Sequence, residues 1–239
     1  MIKGWNYLKE TGESLALNLQ AHQLEQFAAY LKLLQEWNSK INLTAIVDDE
    51  GIVIKHFIDS LLFLKKININ DGMTVLDLGT GAGFPGIPLK IWRPNLKIVL
   101  VDSLQKRIVF LEEVLKQLGL SQVELVHGRA EDLARMEGYR ESFDFVISRA
   151  VANLRVLAEY CLPFVRIEGY FAAAKGPDLE QELKEAQKAI EILGGQVAEK
   201  EHYLLPYLKE KRSYIKINKV QATPEKYPRK AGIPAKKPL

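Results

Sequence analysis

The chain has 239 residues, of which 47% are hydrophobic and 26% charged, and its formal net charge is +3. It contains no run of about 18 apolar residues and no apolar signal-peptide core in "MIKGWNYLKE", so we exclude a membrane span and expect a cytoplasmic, globular protein. Cys161 is the only cysteine, which excludes a disulfide framework, and the scattered histidines give no metal-site spacing, so we predict no metal.

The charge is unevenly distributed along the chain. Residues 209–239 contain ten Lys/Arg and two Glu, a net charge of +8, whereas the other 208 residues have a net charge of −5. This asymmetry indicates either an anionic partner at the C-terminal end or a solvated tail, and charge alone does not separate the two.

Residues 1 to about 65 have a helical pattern. The segment "LEQFAAYLKLLQEW" at 24–37 places Leu24, Phe27, Ala28 and Leu31 on one face. Residues 52–66 predict a second helix with a kink. We therefore predict an N-terminal helical extension at residues 1–66.

Strands and helices alternate from about residue 70 onward. We predict strands at residues 73–78, 97–102, 122–128, 143–149 and 169–176. The helix after the second strand has Ser103 as its predicted N-cap, and a helix at 178–193 should be capped by Asp178 and end at Gly194 and Gly195. Two last strands, at about 196–205 and 212–219, should form an antiparallel hairpin at the sheet edge, with Pro206 in the connection.

This alternation predicts an α/β fold with a Rossmann-like, mostly parallel sheet, whose ligands bind beyond the carboxyl ends of the strands. The core is expected to span residues 67–220. Residues 221–239 are rich in Pro and Lys and predict a loop or an extended tail that packs little.

The stretch "DLGTGAGFPG" at residues 77–86 predicts a ligand close to the backbone. Its glycines fit G-x-G-x-G or, in another register, the dinucleotide fingerprint G-x-G-x-x-G. Asp102 ends the second strand and could accept hydrogen bonds from ribose hydroxyls of either a dinucleotide or S-adenosylmethionine (SAM). The glycines alone leave both cofactors open.

Neighbouring residues favour SAM. The turn should begin at Gly79, because the strand runs directly into it, and Pro85 and Pro88 remove backbone N–H groups that a pyrophosphate would need. Asp77 would repel a pyrophosphate but suits the cationic amino-acid end of SAM, directly or through water. The segment "GRAED" at 128–132 follows the third strand, where it would lie against the adenine.

The segment after the fourth strand narrows the methyl acceptor. "ISRAVANL" at 147–154 lacks the Asn/Asp-Pro-Pro-aromatic turn typical of exocyclic amine methylation, and Cys161 lies in a helical segment as an expected buried residue. An acceptor atom with its own lone pair, such as guanine N7, then needs no general base. Arg149 could hold guanine O6, contact the cofactor or pair with a helix-end carboxylate.

Several motifs resemble those of the RsmG family of bacterial small-subunit rRNA methyltransferases, also called glucose-inhibited division protein B. They cover nearly the whole chain in order: "EWNSKINLTAI" (36–46), "KHFIDSLL" (55–62), "VLDLGTGAGFPGIPL" (75–89), "VDSLQKRIVFL" (101–111), "GRAED" (128–132), "SRAVANL" (148–154), "AAKG" (173–176) and "YPRKAGIPAKKPL" (227–239). The resemblance implies SAM-dependent methylation of guanine N7 in the 530 loop of 16S rRNA.

The resemblance also implies a set of cofactor contacts. These are Gly79, Phe84, Ala130, Glu131 and Arg149, with Asp102 on the ribose. Asp77, Gly81, Ser103 and Leu104 complete the predicted cofactor site. Phe84 is expected as a wall beside SAM, and Gly86 as the start of a helix.

Five residues in family motifs are candidates for positioning the substrate, and none is assigned as a certain catalytic group: Asn42, His56, Asp59, Arg149 and Lys175. Asn42 could instead cap a turn, and His56 could be a satisfied core histidine. The predicted RNA contacts are Lys226, Arg229, Lys230, Lys236 and Lys237.

We therefore expect a monomer that acts on 16S rRNA or the small ribosomal subunit. The tail and the N-terminal helices should flank the cofactor and hold the RNA, so removal of residues 224–239 should spare SAM affinity. Two alternatives stay open: a nicotinamide oxidoreductase on a similar sheet, and a non-catalytic, SAM-responsive RNA-binding factor.

Overall fold

A seven-stranded sheet forms the centre of the protein. The computed structural model describes residues 2–67, 69–149 and 151–239. The sheet has the order β3-β2-β1-β4-β5-β7-β6. Its strands are β1 (Thr74–Leu78), β2 (Lys97–Asp102), β3 (Val123–His127), β4 (Phe143–Arg149), β5 (Val165–Lys175), β6 (Gly195–Leu205) and β7 (Glu210–Lys219).

The first five strands are parallel, and β7 is antiparallel to both of its neighbours, β5 and β6. This arrangement confirms the predicted Rossmann-like sheet with an antiparallel hairpin at its edge. The hairpin enters the sheet through its second strand, so that β7 lies inside and β6 forms the edge. Pro206 lies in the turn between them, as predicted.

Helices surround the sheet and also make up the N-terminal region. They are α1 (Trp5–Ser14), α2 (Ala21–Ile41), α3 (Asp49–Ile52), α4 (Asp59–Ile67), α5 (Gly86–Trp92), α6 (Gln105–Leu118), α7 (Ala130–Leu133), α8 (Leu154–Cys161), α9 (Leu179–Ile192) and α10 (Ile233–Lys236). A π-helical segment, Val53–Ile58, joins α3 to α4 and accounts for the irregular helix expected there. None of the helices in the described ranges is long and apolar enough to cross a membrane.

The N-terminal helices share a hydrophobic core with the sheet. Phe27 and Tyr30 of α2 and Phe57 of the π segment are fully buried, and they belong to one cluster with Val75 of β1 and Leu111 of α6. On the other side of the sheet, α8 and α9 pack in a second cluster. The extension is therefore packed directly on the residues that carry the glycine loop.

Two predicted helix caps differ from the structure. Ser103 does not cap α6, because Leu104 occupies the N-cap position and the carboxylate of Asp102 accepts the Leu104 N–H at 2.9 Å. Asp178 stands at the N-cap of α9, but its side chain accepts no hydrogen bond from that helix. Gly194 follows α9 with φ +82°, in the left-handed conformation expected for a residue that ends a helix.

The C-terminal tail, residues 221–239, packs against the core, contrary to the expectation of a tail that packs little. Thr223 and Tyr227 are buried, and α10 contacts α8. Arg140 donates hydrogen bonds to the carbonyl oxygens of Thr223 and Tyr227, at 2.7 and 2.9 Å. The composition of the tail did not indicate this packing, because the core residues that hold the tail lie far away in sequence.

Candidate active site

Two clefts open at the carboxyl ends of the strands. The first, which we call the β1–β3 cleft, has a volume of about 160 Å³. Its lining residues are Leu78, Gly79, Val101, Asp102, Ser103, Gly128, Arg129, Ala130, Glu131, Val151 and Tyr160. All but the last two follow or end the first three strands, at the place where a Rossmann-like sheet binds its ligand.

The glycine turn begins at Gly79, directly after β1, as the sequence predicts. Gly79 has φ +70°, and its N–H donates to the carbonyl of Val101 at 2.9 Å. A Cβ atom at this position would lie 2.6 Å from Cγ2 of Val151. Only glycine therefore fits the turn without strain and leaves the backbone open to a ligand.

Asp102 fixes the geometry of the β1–β3 cleft from the end of β2. Its carboxylate accepts from Gly81 N at 2.9 Å, from Leu104 N at 2.9 Å and from Arg107 Nη1 at 3.0 Å. These bonds tie the glycine turn to the next loop. Arg107 Nη1 also lies 3.4 Å from Oδ1, so each oxygen already has two contacts, and a ligand hydroxyl would share the carboxylate with Arg107.

Asp77 lies behind the turn and does not line the cleft. It is fully buried, and its Oδ2 accepts from Thr80 Oγ1 at 2.7 Å and from Gly86 N at 2.8 Å. Its Oδ1 has no hydrogen-bond partner among the described residues. Burial raises the pKa of the Asp77 carboxyl to about 6 in spite of these two bonds.

The third strand end supplies Ala130 and Glu131, which begin α7. The Glu131 side chain is buried, and its Oε1 accepts the N–H of Gly232, in the tail, at 2.8 Å. Glu131 and Tyr160 both line the β1–β3 cleft, and burial together with the Glu131 carboxylate raises the pKa of Tyr160. The sequence did not predict that the tail reaches this place.

The second cleft, which we call the β4–β5 cleft, has a volume of about 390 Å³ and carries mixed charge. Its lining residues are Ile46, Lys55, His56, Asp59, Arg149, Ala174, Lys175, Gly176, Glu182, Glu210 and Arg212. Apart from Ile46, which lies between α2 and α3, they come from the π segment, α4, the ends of β4 and β5, α9 and β7. Arg149, which ends β4, lines this cleft, and Val151, two residues later in the chain, lines the β1–β3 cleft.

Arg149 organises the β4–β5 cleft. Its Nη1 donates to the carbonyl of Lys55 at 3.1 Å and to Asp59 Oδ2 at 3.2 Å, and its Nη2 donates to His56 Nδ1 at 3.3 Å. The guanidinium lies 5.1 Å from the ring centre of Phe84, at a distance suited to a cation–π contact. The pairing with a helix-end carboxylate agrees with one of the three roles considered for this arginine.

His56 is held as a neutral ring. Burial, reinforced by the nearby Arg149 charge, lowers the pKa of His56 to about 3. Since Nδ1 accepts from Arg149, Nε2 carries the proton and donates to Thr44 Oγ1 at 2.8 Å. Both nitrogens are thus occupied, as expected for a satisfied core histidine, although the ring also borders the cleft.

Phe84 supports the glycine loop from the side of the N-terminal helices. Its ring stacks on His56, with centroids 4.6 Å apart, and contacts Tyr30 at 5.3 Å. It borders neither cleft directly. The Phe84 ring therefore lies between the glycine loop and the N-terminal extension. The helix predicted to begin at Gly86 is present as α5.

Lys175 and Asn42 have different surroundings. Lys175 lies in the β4–β5 cleft, where its Nζ contacts Glu182 Oε2 at 2.6 Å and donates to the carbonyl of Ala152 at 2.8 Å. Asn42 lies in a separate groove as the C-cap of α2, with φ +50°. The structure thus brings together four of the five positioning candidates, and Asn42 takes the turn-capping place considered for it.

Comparison with known proteins now identifies the family. The model of the GidB family, described as rRNA small subunit methyltransferase G, matches residues 23–212. The chain belongs to this family. A relative from Desulforamulus reducens, named ribosomal RNA small subunit methyltransferase G, is 51% identical over 232 residues and covers 97% of both chains. A relative of the same name from Lactobacillus acidophilus is 49% identical and covers 95% of this chain and 98% of its own.

Solved structures of other methyltransferases share the fold. TYW2 from M. jannaschii, in complex with AdoMet, matches with a TM-score of 0.56 at 15% identity and covers 76% of this chain and 80% of its own. A SAM-dependent methyltransferase from Aquifex aeolicus matches with a TM-score of 0.51 at 20% identity and covers 71% and 93%. The family membership and this fold confirm the predicted family, fold class and methyltransferase activity.

Four charged residues of the β4–β5 cleft were missed by the sequence analysis: Lys55, Glu182, Glu210 and Arg212. Lys55 precedes His56 in the family motif "KHFIDSLL", which offered a signal. Arg212 contacts Asp59 Oδ2 at 3.5 Å only because β7 lies beside β5. No local sequence pattern indicates that proximity.

The predicted RNA-binding residues are divided by the structure. Lys226, Lys230, Lys236 and Lys237 are exposed. Arg229 instead forms an ion pair with Glu159, at 2.6 Å between Nη2 and Oε2. Since that carboxylate is almost fully buried, the Arg229 charge is already balanced within the protein, and the phosphate contact proposed for it loses support.

Proposed function

We propose that this protein transfers the methyl group of SAM to N7 of a guanine in the 530 loop of 16S rRNA. The observation that carries the proposal is the pair of clefts at the carboxyl ends of the strands, lined by Arg149 in one case and by Val151, two residues later in the chain, in the other. The β1–β3 cleft would hold the methyl donor, and the β4–β5 cleft would hold the guanine. Family membership and the methyltransferase fold support both the reaction class and the cofactor.

The β1–β3 cleft suits SAM. Gly79 lets the backbone approach the ligand, Asp102 can accept from the ribose hydroxyls, and Glu131 can accept from the exocyclic amine of the adenine. Oδ1 of Asp77, which has no hydrogen-bond partner in the part of the chain that the structure describes, would provide negative charge behind the turn for the cationic amino-acid end. When bound, SAM supplies an electrophilic methyl group on a sulfonium.

The β4–β5 cleft suits a purine with hydrogen-bonding groups on two edges. Arg149 and Lys175 can donate to guanine O6, and carboxylates such as Glu210 can accept from its N1–H and amino group. Arg149 lines this cleft, which supports a role at the guanine more than at the cofactor. Asn42 lies elsewhere, so we propose no direct contact for it.

The chemistry requires no proton transfer before attack. The lone pair of N7 forms the new N–C bond while the S–C bond breaks, and its electrons stay on the departing thioether sulfur. His56 is neutral, with both nitrogens engaged, so it is not placed as a general base. The protein contributes alignment and a site shielded from water, and the carboxylates of the β4–β5 cleft can balance the positive charge that develops on the methylated guanine.

We further propose that the protein is a cytoplasmic monomer and that the exposed lysines of its tail bind RNA. Lys226, Lys230, Lys236 and Lys237 can neutralise phosphates, and this contribution should weaken with salt. One chain lines both clefts, so no second copy is needed to complete them. The guanine must be unstacked or exposed for N7 to reach the methyl group.

Labelled SAM provides the direct test. Small subunits that lack the modification are incubated with the protein and methyl-labelled SAM, and the labelled base and atom are then mapped. We expect label at N7 of a single guanine in the 530 loop. Lys175→Ala should reduce the rate at least about tenfold, whereas Lys188→Ala, an exposed lysine on α9, should not. Label on another atom or base, or no label, would refute the proposal.

A further inference from the structure

The tail is attached to the core by bonds to its main chain. Arg140 holds the carbonyls of Thr223 and Tyr227, and Arg155 Nε donates to the carbonyl of Leu239 at 2.7 Å. Arginine side chains thus fix both ends of the segment. Because these bonds are made to the backbone, the tail follows a defined path in spite of its Pro- and Lys-rich composition.

An ion pair fixes the middle of the tail beside the β1–β3 cleft. The guanidinium of Arg229 binds both carboxylate oxygens of Glu159, and the Arg229 N–H donates to Glu159 Oε1 at 2.8 Å. The Glu159 side chain is only 1% exposed. A bidentate pair at a buried carboxylate specifies orientation as well as position. Glu159 directly precedes Tyr160, which lines the β1–β3 cleft.

Gly232 follows this anchor and reaches the cleft itself. It has φ +81°, a conformation that glycine adopts without strain, and its N–H donates to Glu131 Oε1 at 2.8 Å. Glu131 is 5% exposed and lines the β1–β3 cleft. The bond occupies one acceptor position of the carboxylate and restricts rotation of the side chain. The Tyr160 hydroxyl also approaches this carboxylate, which keeps further acceptor positions for a ligand.

We propose that the tail is a positioning element of the cofactor site. The Gly232 N–H orients the Glu131 carboxylate so that its second oxygen accepts from the exocyclic amine of the adenine of SAM. Arg229 and Glu159 act indirectly, by holding Gly232 in place. The inference rests on the proposed function, because it requires SAM in the β1–β3 cleft. It reverses the expectation that loss of the tail spares SAM affinity.

A consequence follows from thermodynamic linkage. If docking of the tail strengthens cofactor binding, cofactor binding must strengthen docking by the same factor. Hydrogen exchange at the tail amides should therefore slow when the cofactor product binds. This effect can be measured on the unaltered chain.

Removal of residues 231–239 tests the proposal, with S-adenosylhomocysteine and S-inosylhomocysteine as probes in calorimetry. The second probe carries a carbonyl in place of the adenine amine. The full chain should prefer S-adenosylhomocysteine, and the truncated chain should bind it about tenfold more weakly while binding the inosyl probe nearly as before. Lys236→Ala combined with Lys237→Ala removes the same lysine charges and keeps the Gly232 N–H, so it should leave both affinities unchanged.

Three results would overturn the inference: no preference in the full chain, no loss on truncation, or an equal loss for both probes. If the truncated chain does not fold, hydrogen exchange at residues 229–239 of the full chain decides. Exchange slowed by S-adenosylhomocysteine supports the proposal, and unchanged exchange contradicts it. Failure of the full chain to bind S-adenosylhomocysteine at all would refute the proposed function itself.

Discussion

The two clefts are built in different ways. The β1–β3 cleft consists largely of residues at the ends of three successive strands, and the backbone of a glycine turn forms one wall. The β4–β5 cleft consists of charged side chains from segments as far apart as Lys55 and Arg212. A site formed by backbone at strand ends leaves a local pattern in the sequence. A site formed by distant side chains leaves none, because its geometry depends on how the whole sheet is ordered.

The same contrast applies to how charge is held. Asp102 is fixed mainly by backbone N–H groups, which move little. Arg149 bridges three partners on the π segment and α4 through one long side chain. We therefore expect substitutions in the two clefts to have different effects. Those in the β1–β3 cleft should weaken cofactor binding, and those in the β4–β5 cleft should lower the rate of methyl transfer.

Gly79→Val should have the largest effect and should act on the β1–β3 cleft alone. A branched side chain would collide with Val151 and strain a residue at φ +70°. We expect the Kd for S-adenosylhomocysteine to rise about a hundredfold, which corresponds to about 2.7 kcal/mol. Calorimetry measures this, and RNA affinity without cofactor is the control. A similar loss of RNA binding would show that the clefts are not separable.

Arg149→Lys should act on the β4–β5 cleft. An ammonium cannot reproduce the planar arrangement of donors to Lys55, His56 and Asp59. The kcat for methylation should fall about ten- to a hundredfold, with the Kd for S-adenosylhomocysteine changed less than about threefold. Arg166→Lys is a matched control, because Arg166 pairs with Asp144 at an exposed site away from both clefts. Equal effects of the two variants on kcat would contradict the assignment.

Asp77→Asn should make the ligand-free protein more stable and should weaken the binding of S-adenosylhomocysteine in the β1–β3 cleft. The folded-state pKa of about 6 lies above the ordinary 3.8, so the folded protein binds this proton more tightly than the unfolded chain does. The stabilising contribution of this protonated carboxyl to the free energy of unfolding is therefore present below pH 4 and is lost as pH rises to about 6. The Asp77→Asn variant does not lose this contribution. At pH 7 its free energy of unfolding should therefore exceed that of the unaltered chain by on the order of 1–3 kcal/mol.

Urea unfolding at pH 4 and pH 7 measures the effect of Asp77→Asn. The difference between the variant and the unaltered chain should grow with pH, and the variant should bind S-adenosylhomocysteine more weakly. Thr80→Val, which removes only one donor to Asp77, provides a comparison that retains the carboxyl. A difference that is independent of pH would mean that this carboxyl does not titrate in the folded protein near pH 6.

His56→Gln should have the smallest effect. A glutamine can accept from Arg149 and donate to Thr44, as the neutral imidazole does. Because the pKa of His56 is lowered to about 3, the ring does not change charge between pH 5 and 8. Profiles of kcat against pH should therefore be parallel for the two proteins over that range. Loss of a titration near neutral pH in the variant would assign His56 a proton-transfer role.

Local patterns predicted most of the fold. The strand at 97–102 and the strand at 143–149 have the predicted bounds, and the turn begins at Gly79. The errors arose where a partner from elsewhere decides the structure. Asp102, and not the predicted Ser103, accepts the free N–H of Leu104 at the start of α6. The tail is ordered because Arg140 and other residues of the core bind its backbone.

The β1–β3 cleft was more predictable than the β4–β5 cleft. The glycine turn and Asp102 appear together in the sequence pattern, and the structure brings them together at one cleft. Glu210 and Arg212 could not have been assigned, since β7 reaches the β4–β5 cleft only by inserting beside β5. Phe84 was predicted to lie beside the cofactor. Its stacking on His56 could not be predicted, because it depends on how the extension packs.

The π-helical segment has a consequence for how this chain can change in evolution. It runs from Val53 to Ile58 and sets the angle between His56 and Asp59, two side chains that accept hydrogen bonds from Arg149. Loss of one residue between them would allow a regular α-helix but would change the angle around the helix axis that separates His56 from Asp59. Length in this segment should therefore be as constrained as residue identity, and a shorter, more regular helix would lose the pair that holds Arg149.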